Sequence, residues 1–599
     1  MPFGAEYRDG AAAFRLWAPA AATVDLVLGG DDREHRLAMT PRGDGWFARD
    51  IDDARAGTRY RFRIDGDMAV PDPASRANPD GVHAASAVVD PAAYAWHDGA
   101  WRGRPWREAV VYELHVGAFT PRGTFDGVVE RLDDLANLGV TAIELMPLAA
   151  FPGSRNWGYD GVLPFAPAAS YGTPDDLKRL VDAAHARGLM MLLDVVYNHF
   201  GPEGNYLHLY APQFFNPAHR TPWGAAINFD GERSGIVRDY FVHNALYWLE
   251  EFHFDGLRLD AVHAIVDESR PDFITELAAR VRESVTGRDV HLMLENDRNQ
   301  AGYLRRDDAG RPVFATAQWN DDVHHALHVI ATDERDGYYA DYDARPVERL
   351  GRALAEGFAY QGEVSTFRGG VARGEPSAQL PPIAFVAFTQ NHDQAGNRAY
   401  GERLAALADA DLLRALTACV LLSPQVPLLF MGEEFAASTP FLFFCDFGAD
   451  LAQAVTRGRR AEFARFSRFG DAHDIPDPNA DATFAASKLD WREATATAGE
   501  KWRAFYRDCL ARRRRHVVPL LGRIRHGGTF EVEGGLLRVD WSTNDGIRLH
   551  LVANFAGEPH DGAALPRGDP VFASEGVSAA GTNGSFPRYG AALLLEHAS

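Results

Sequence analysis

The chain has 599 residues, 46% hydrophobic and 24% charged, too long for one ordinary core, so two to four domains are expected. Its net charge of -22 and pI near 5.4 exclude the basic footprint that phosphate backbones and anionic membranes require, so neither nucleic acid nor membrane is an expected partner. Three well-separated cysteines (Cys419, Cys445, Cys509), no basic-then-apolar start and no membrane-length apolar stretch point to a cytoplasmic protein with reduced thiols and no zinc site.

Residues 1–90 carry short alternating runs, Phe14–Trp17, Val24–Leu28, Trp46–Ala48 and Tyr60–Asp65. Turn residues separate them, as at Gly29-Gly30-Asp31-Asp32 and Gly43-Asp44-Gly45, which predicts a small antiparallel sandwich. A connector follows over 91–108, its Trp96, Trp101 and Trp106 expected to pack one domain on the next.

From 109 to 516 the pattern changes to short apolar runs, several followed by helix-length amphipathic segments. The runs are Val110–Val116, Ala142–Met146, Met190–Val196, Gly256–His263, His291–Glu295, Ala315–Trp319, Ala384–Thr389 and Pro427–Met431. One intervening helix is capped by Thr173, starts at Pro174 and stops at Gly188. Eight buried runs interleaved with helices predict an α/β fold, a (β/α)8 barrel, rather than an open doubly wound sheet. Long segments at 197–236 and 320–382 are expected as functional loops. The run Arg512–Arg515 reads as a solvated helix end, and 517–599 as a C-terminal antiparallel β-domain.

Polar residues gather where these strands run out, the end at which such a barrel builds its site. The third run leads into Tyr197-Asn198-His199, and the fourth ends Arg258-Leu259-Asp260-Ala261-Val262-His263. The fifth ends at Glu295, the sixth at Asn320-Asp321-Asp322, and the seventh at His392-Asp393-Gln394. Each alone is equally a turn former; five on one rim converge carboxylates, imidazoles and an arginine. Arg258 and Asp260, two apart, leave the strand on one face, as a structural ion pair or as a carboxylate held ionised for nucleophilic attack. Glu295 has no cation adjacent in sequence and is the better candidate for a raised pKa. Two such carboxyls amid aromatics, without metal-spaced ligands, suit acid/base and nucleophilic work on a neutral polar substrate, above all glycoside hydrolysis.

The segments DVVYNH (194–199), GLRLDAVH (256–263), LMLEND around Glu295 and QNHDQ (390–394) resemble the four short motifs of the α-amylase superfamily, over nearly the whole chain. That resemblance implies a retaining mechanism with Asp260 as nucleophile, Glu295 as acid/base and Asp393 stabilising the transition state. His199 and His392 would contact the sugar, Arg258 would orient Asp260, and His263, Gln394 and Asn397 would join the substrate site. Within the superfamily, VPDPASRANPDGVHAASAVVDP (70–91), NWGYDG (156–161), QWNDDVHHALH (318–328), GEEFAASTPFLFFCDF (432–447) and SKLDW (487–491) are similar to the maltooligosyltrehalose trehalohydrolases.

This closer resemblance implies cleavage of the α-1,4 bond beside a terminal trehalose, in sequence with a maltooligosyltrehalose synthase. Asn198 ligates calcium in some relatives, but the loop after the third strand offers no clear set of partner carboxylates, so no required metal and no cofactor are expected. Asn320, Asp321, Asp322, His324 and His325 would then line the leaving-group side, or else form a helix start capped by Asn320. Tyr159 would stack under the sugar. Phe441, Phe443 and Phe444 are either a sugar platform or rim packing. The alternatives are a branching or debranching relative and a non-catalytic glucan-binding protein; the latter sits poorly with three intact carboxylates.

Overall fold

In the computed structural model, which describes residues 1–29, 34–463, 475–562, 565–577 and 585–597, eight parallel strands close into a barrel. They are β1 (Val111–Leu114), β2 (Ala142–Leu145), β3 (Met190–Val195), β4 (Gly256–Leu259), β5 (His291–Leu294), β6 (Ala317–Trp319), β7 (Phe385–Phe388) and β8 (Val426–Phe430). All eight predicted runs are used, in chain order, and β8 pairs back on β1 to close the circle. Strands buried on both faces must be apolar almost throughout, which is why they read as unbroken runs.

Alternation then decides what points inward. Val111, Ala142, Met190, Leu192, Met293, Ala317, Trp319, Val386, Phe388, Val426 and Leu428 pack into one cluster with Trp106. Trp106 closes the N-terminal mouth, its indole N–H donating to the Ile383 carbonyl. Two residues further along the same strands, the inward positions become Glu113, Glu144, Asp194 and Arg258, all fully buried. The interior therefore changes from apolar to charged towards the C-terminal rim. Gly256 opens β4 because a Cβ there would lie 2.4 Å from the His291 carbonyl of β5.

Residues before the barrel form two antiparallel sheets, one from Gly4–Arg8, Ala11–Trp17, Thr40–Gly43 and Trp46–Ile51, the other around Val24–Leu28 and Arg59–Ile64. The predicted turn at Gly30, Asp31 and Asp32 lies outside the described residues. Trp101 donates to Asp255 and stacks on His185, and Trp96 stacks on His253, so the connector packs against the barrel. The helix Pro174–His185 has its Thr173 cap, reciprocated by Asp176. A five-stranded antiparallel sheet that includes Thr529–Glu533, Leu536–Ser542 and Arg548–Asn554 ends the chain.

Two expectations need correction. The stretch 320–382 is no loop: it contains helices Asp321–Thr332 and Pro346–Glu356 and the hairpin Glu363–Ser365/Val371–Arg373. In Asp321–Thr332 the polar Asp322, His324, His325 and His328 are buried, which masked the helical period there. Nor is the arginine run simply solvated: Arg513 is fully buried and donates to the carbonyls of Leu421, Ser423 and Gln425, tying the last helix to the segment before β8.

Candidate active site

The centre of the rim is a single guanidinium. Arg258 NH1 donates to Asp194 Oδ2 at 2.6 Å and to Asp260 Oδ1 at 2.8 Å, while NH2 sits 2.9 Å from Glu295 Oε2. Its plane lies over the Trp319 ring, 4.1 Å from the centroid. One cation thus faces three carboxyls from three neighbouring strands, in a region from which water is largely excluded. Burial pushes the carboxyls of Asp194, Asp260 and Glu295 above their ordinary values; Arg258 opposes this in each case. The expectation that Asp260 alone enjoys Arg258 and that Glu295 lacks a cation is therefore incorrect. Closure of the barrel brings the arginine to both, and the crowding of three carboxyls around it opposes ionising all of them.

Other contacts orient these groups. Asn198 Nδ2 donates to Asp260 Oδ2 at 3.0 Å, so each oxygen of Asp260 has its own donor. Glu295 Oε2 accepts from the Ala261 backbone N–H at 2.7 Å. Ala261 holds a φ of +38°, a left-handed conformation that costs a residue with a Cβ and that aims this N–H at the carboxyl. Tyr159 donates its hydroxyl to Asp194 at 2.6 Å and lies face to face with His392, centroids 5.1 Å apart. Despite burial, which opposes a charge there, Glu113 and Asp393 raise the pKa of His392 to about 9; Glu113 accepts both its Nδ1–H and its backbone N–H. Asp393 stands half exposed at the rim, 3.5 Å from His392 Nε2, and accepts from Asn397 Nδ2 at 3.1 Å.

Sequence comparison bears directly on this constellation. A carbohydrate-binding module family, described as the isoamylase N-terminal domain, matches residues 2–92, and the α-amylase catalytic domain matches residues 71–213. A malto-oligosyltrehalose trehalohydrolase of Deinococcus radiodurans is 43% identical over 92% of this chain and 88% of its own, and one of Arthrobacter ramosus is 42% identical over 88% and 92%. The chain belongs to the malto-oligosyltrehalose trehalohydrolase family of the α-amylase superfamily. A crystal structure described as a putative α-amylase from Salmonella typhimurium superposes on this trehalohydrolase-family chain with a TM-score of 0.94, at 47% identity over 99% of both chains. A pullulanase from Paenibacillus barengoltzii, 20% identical with a TM-score of 0.72 over 99% of this chain and 95% of its own, shares the fold alone.

Within this trehalohydrolase-family rim, Asp260, Glu295, Asp393, Arg258, Tyr159 and His392 come together. His263 is beside them, its Nδ1 accepting from the Asp297 N–H at 3.3 Å. Others commit their polar atoms to the protein itself. His199 directs both nitrogens at protein acceptors, Asn198 Oδ1 and the Tyr159 carbonyl, and its ring stacks on Trp223. Gln394 is spent capping its own short helix through the Asn391 N–H, and Asn397 supports Asp393.

Of the five residues after β6, three are structural. Asp322 is buried under Asn299, Tyr342, Arg373 and the N–H groups of Ala359 and Tyr360. Asn320 donates to the Gly357 carbonyl and to Gln425 and caps nothing with its side chain. His324 is held between the Thr389 carbonyl and the Tyr339 hydroxyl. Asp321 and His325 retain free polar groups: burial, together with Glu295 and Asp297, drives the Asp321 carboxyl far upward, and burial keeps His325 neutral with Nδ1 unpartnered. Phe441 and Phe444 are fully buried and Phe441 stacks on Trp157, which settles them as rim packing.

Asp194 and Asn198 stood at a predicted strand end without an assigned role, and Glu113 and Glu144 were missed from sequence. A lone glutamate inside an apolar run, as in Val111-Tyr112-Glu113-Leu114 and Ala142-Ile143-Glu144-Leu145, was the available signal. Among the described residues no group of three or more His, Cys, Asp or Glu side chains is placed to hold a metal ion, and no helix is long and apolar enough to cross a membrane.

Proposed function

We propose that this chain hydrolyses the α-1,4-glucosidic bond next to the terminal trehalose of maltooligosyltrehalose, with retention, releasing trehalose and a maltooligosaccharide. The observation that carries this is the guanidinium of Arg258 in contact with Asp194, Asp260 and Glu295 together. Two carboxyls held on one guanidinium are close-set, which favours double displacement; inverting enzymes leave a gap of about 6.5–9.5 Å for a water. Asp260, each oxygen fixed by a donor, attacks the anomeric carbon as the bond to the leaving oxygen breaks. Glu295, kept protonated by burial, gives that oxygen its proton. It then takes a proton from water as the glycosyl–Asp260 ester is cleaved, and both carboxyls return to their starting states. Asp393 would hold sugar hydroxyls beside the charged His392. Asp321 and His325 would meet the trehalose side. The substrate would come from a maltooligosyltrehalose synthase, and both reactions would take place in the cytoplasm.

Incubation in parallel with maltohexaose and with a maltooligosyltrehalose tests this. Trehalose from the second, with little reaction on the first, is expected. Equal cleavage of both, or chain transfer without trehalose, would return the chain to the branching-enzyme alternative; a branching enzyme of Burkholderia thailandensis is 36% identical over 43% of this chain and 34% of its own.

A further inference from the structure

At the opposite, N-terminal face of the barrel lies a cavity of about 1330 Å³ between the strand starts and the C-terminal segment. His291, Thr316 and Ile383, all at or before the first residues of β5, β6 and β7, form its ceiling, and Leu521, Ile524 and Arg525 close it from the C-terminal side. The chain carries 83 acidic against 61 basic residues, yet this cavity reverses the balance. Six guanidiniums line it (Arg107, Arg282, Arg305, Arg306, Arg311 and Arg525) against three carboxylates, Asp289, Asp307 and Asp308.

Only Arg311 is neutralised, by Asp307 at 2.9 Å. Among the described residues the other five form no ion pair with a carboxylate. Arg306 is spent on the carbonyls of Leu304 and Thr316, and Arg282 on those of Val313 and Phe314. Burial and the neighbouring Arg282 pull the Arg306 pKa down to about 10, the direction expected of cations that repel one another without an anion between them. Guanidiniums held by neutral carbonyls keep their full charge, and Arg is the side chain best shaped to meet a phosphate with paired N–H groups. The apolar wall from Val290, Pro312 and Ile383 gives the cavity a second character, suited to the organic body of a ligand rather than a bare ion.

We propose that this cavity binds a phosphorylated small metabolite, its phosphate on the arginines and its body against the apolar wall, at a site separate from the catalytic rim. The catalytic groups stand at the strand ends, so occupancy here would act on stability or on the junction with the C-terminal domain, not on the bond being cut.

The test is calorimetric titration of the full chain with glucose 6-phosphate, inorganic phosphate and glucose, repeated with the Arg107→Ala/Arg525→Ala double variant. Binding of the ester, weakened by at least about tenfold in the variant and by added salt, is expected, with thermal stability and glucan hydrolysis unchanged in the absence of ester. Glucose binding as tightly as its phosphate would place the heat in the catalytic rim and overturn the proposal. So would inorganic phosphate binding as tightly as the ester, or a folded variant that binds like the wild type. Should the variant not fold, salt dependence and competition by pyrophosphate on the wild type still decide: ester binding indifferent to both refutes it.

Discussion

Replacing Arg258 by lysine isolates what the shared guanidinium does. Lysine keeps the positive charge but is a single point donor and cannot reach Asp194, Asp260 and Glu295 at once. In the native site NH1 serves Asp194 at 2.6 Å and Asp260 at 2.8 Å, and NH2 stands 2.9 Å from Glu295. Losing one or two charge-assisted hydrogen bonds at roughly 1.5–3 kcal/mol each predicts a loss of about 1.5–6 kcal/mol, divided between fold stability and transition-state stabilisation. The pH dependence separates the two. Asp260 must be ionised to attack; burial already raises its pKa and Arg258 opposes that rise. Weakening Arg258 raises it further, so the acidic limb of kcat/KM moves to higher pH, by about one unit for each 1.4 kcal/mol of lost preference for the carboxylate. The assay is kcat/KM on maltooligosyltrehalose across pH, with the melting temperature measured at each point. A variant that loses activity uniformly while its acidic limb stays in place would refute the reasoning.

Asp260→Asn should lower kcat by several orders of magnitude with the circular dichroism and melting temperature nearly intact, because the amide oxygen can still accept from Arg258 and only the acceptor for Asn198 is lost; retention of most activity removes Asp260 as nucleophile. In Glu295→Gln the basic limb of the pH–rate profile should disappear, since the group that holds the proton by virtue of burial no longer titrates; an unchanged limb assigns the acid elsewhere. Asp322→Ala strips a buried acceptor from Arg373 and four other donors and should cost about 3–5 kcal/mol in denaturant unfolding. If Asp322 instead binds sugar, KM will rise with little change in stability. Glu144, whose carboxyl oxygens both lack partners and whose pKa burial raises well above the usual range, stays protonated in the fold but ionises in the unfolded chain. Its contribution to stability is present below the unfolded pKa and is lost as pH rises, so Glu144→Gln should flatten the fall of melting temperature between about pH 5 and 8; an identical slope would show Glu144 ionised in the native state.

The barrel was legible because each strand, buried on both faces, must be written almost throughout in apolar residues, and its C-terminal end is marked where polar residues gather. That rule located Asp260, Glu295 and Asp393 without any knowledge of which strands are neighbours. It could not locate the partner of each charge. Asp194, Arg258 and Glu295 meet because β3, β4 and β5 pair in parallel, residue Asp194 opposite Arg258 and Arg258 opposite Met293, and that register is a property of closure rather than of any one segment. For the same reason Asp322 and Asp321, adjacent in sequence and chemically identical, were given one role although their surroundings are opposite. A strand-end carboxylate looks alike whether it anchors the chain that follows or faces a ligand, and only the donors that fold back onto it tell the two apart. Asp322 has five donors and no free oxygen for a sugar; Asp321, one residue earlier, has none and stands in the field of Glu295 and Asp297. The inward glutamates failed differently. Glu113 and Glu144 break an apolar run in a position where a charge is costly, and that cost was itself the clue: Glu113 meets it by pairing with His392, Glu144 by remaining neutral.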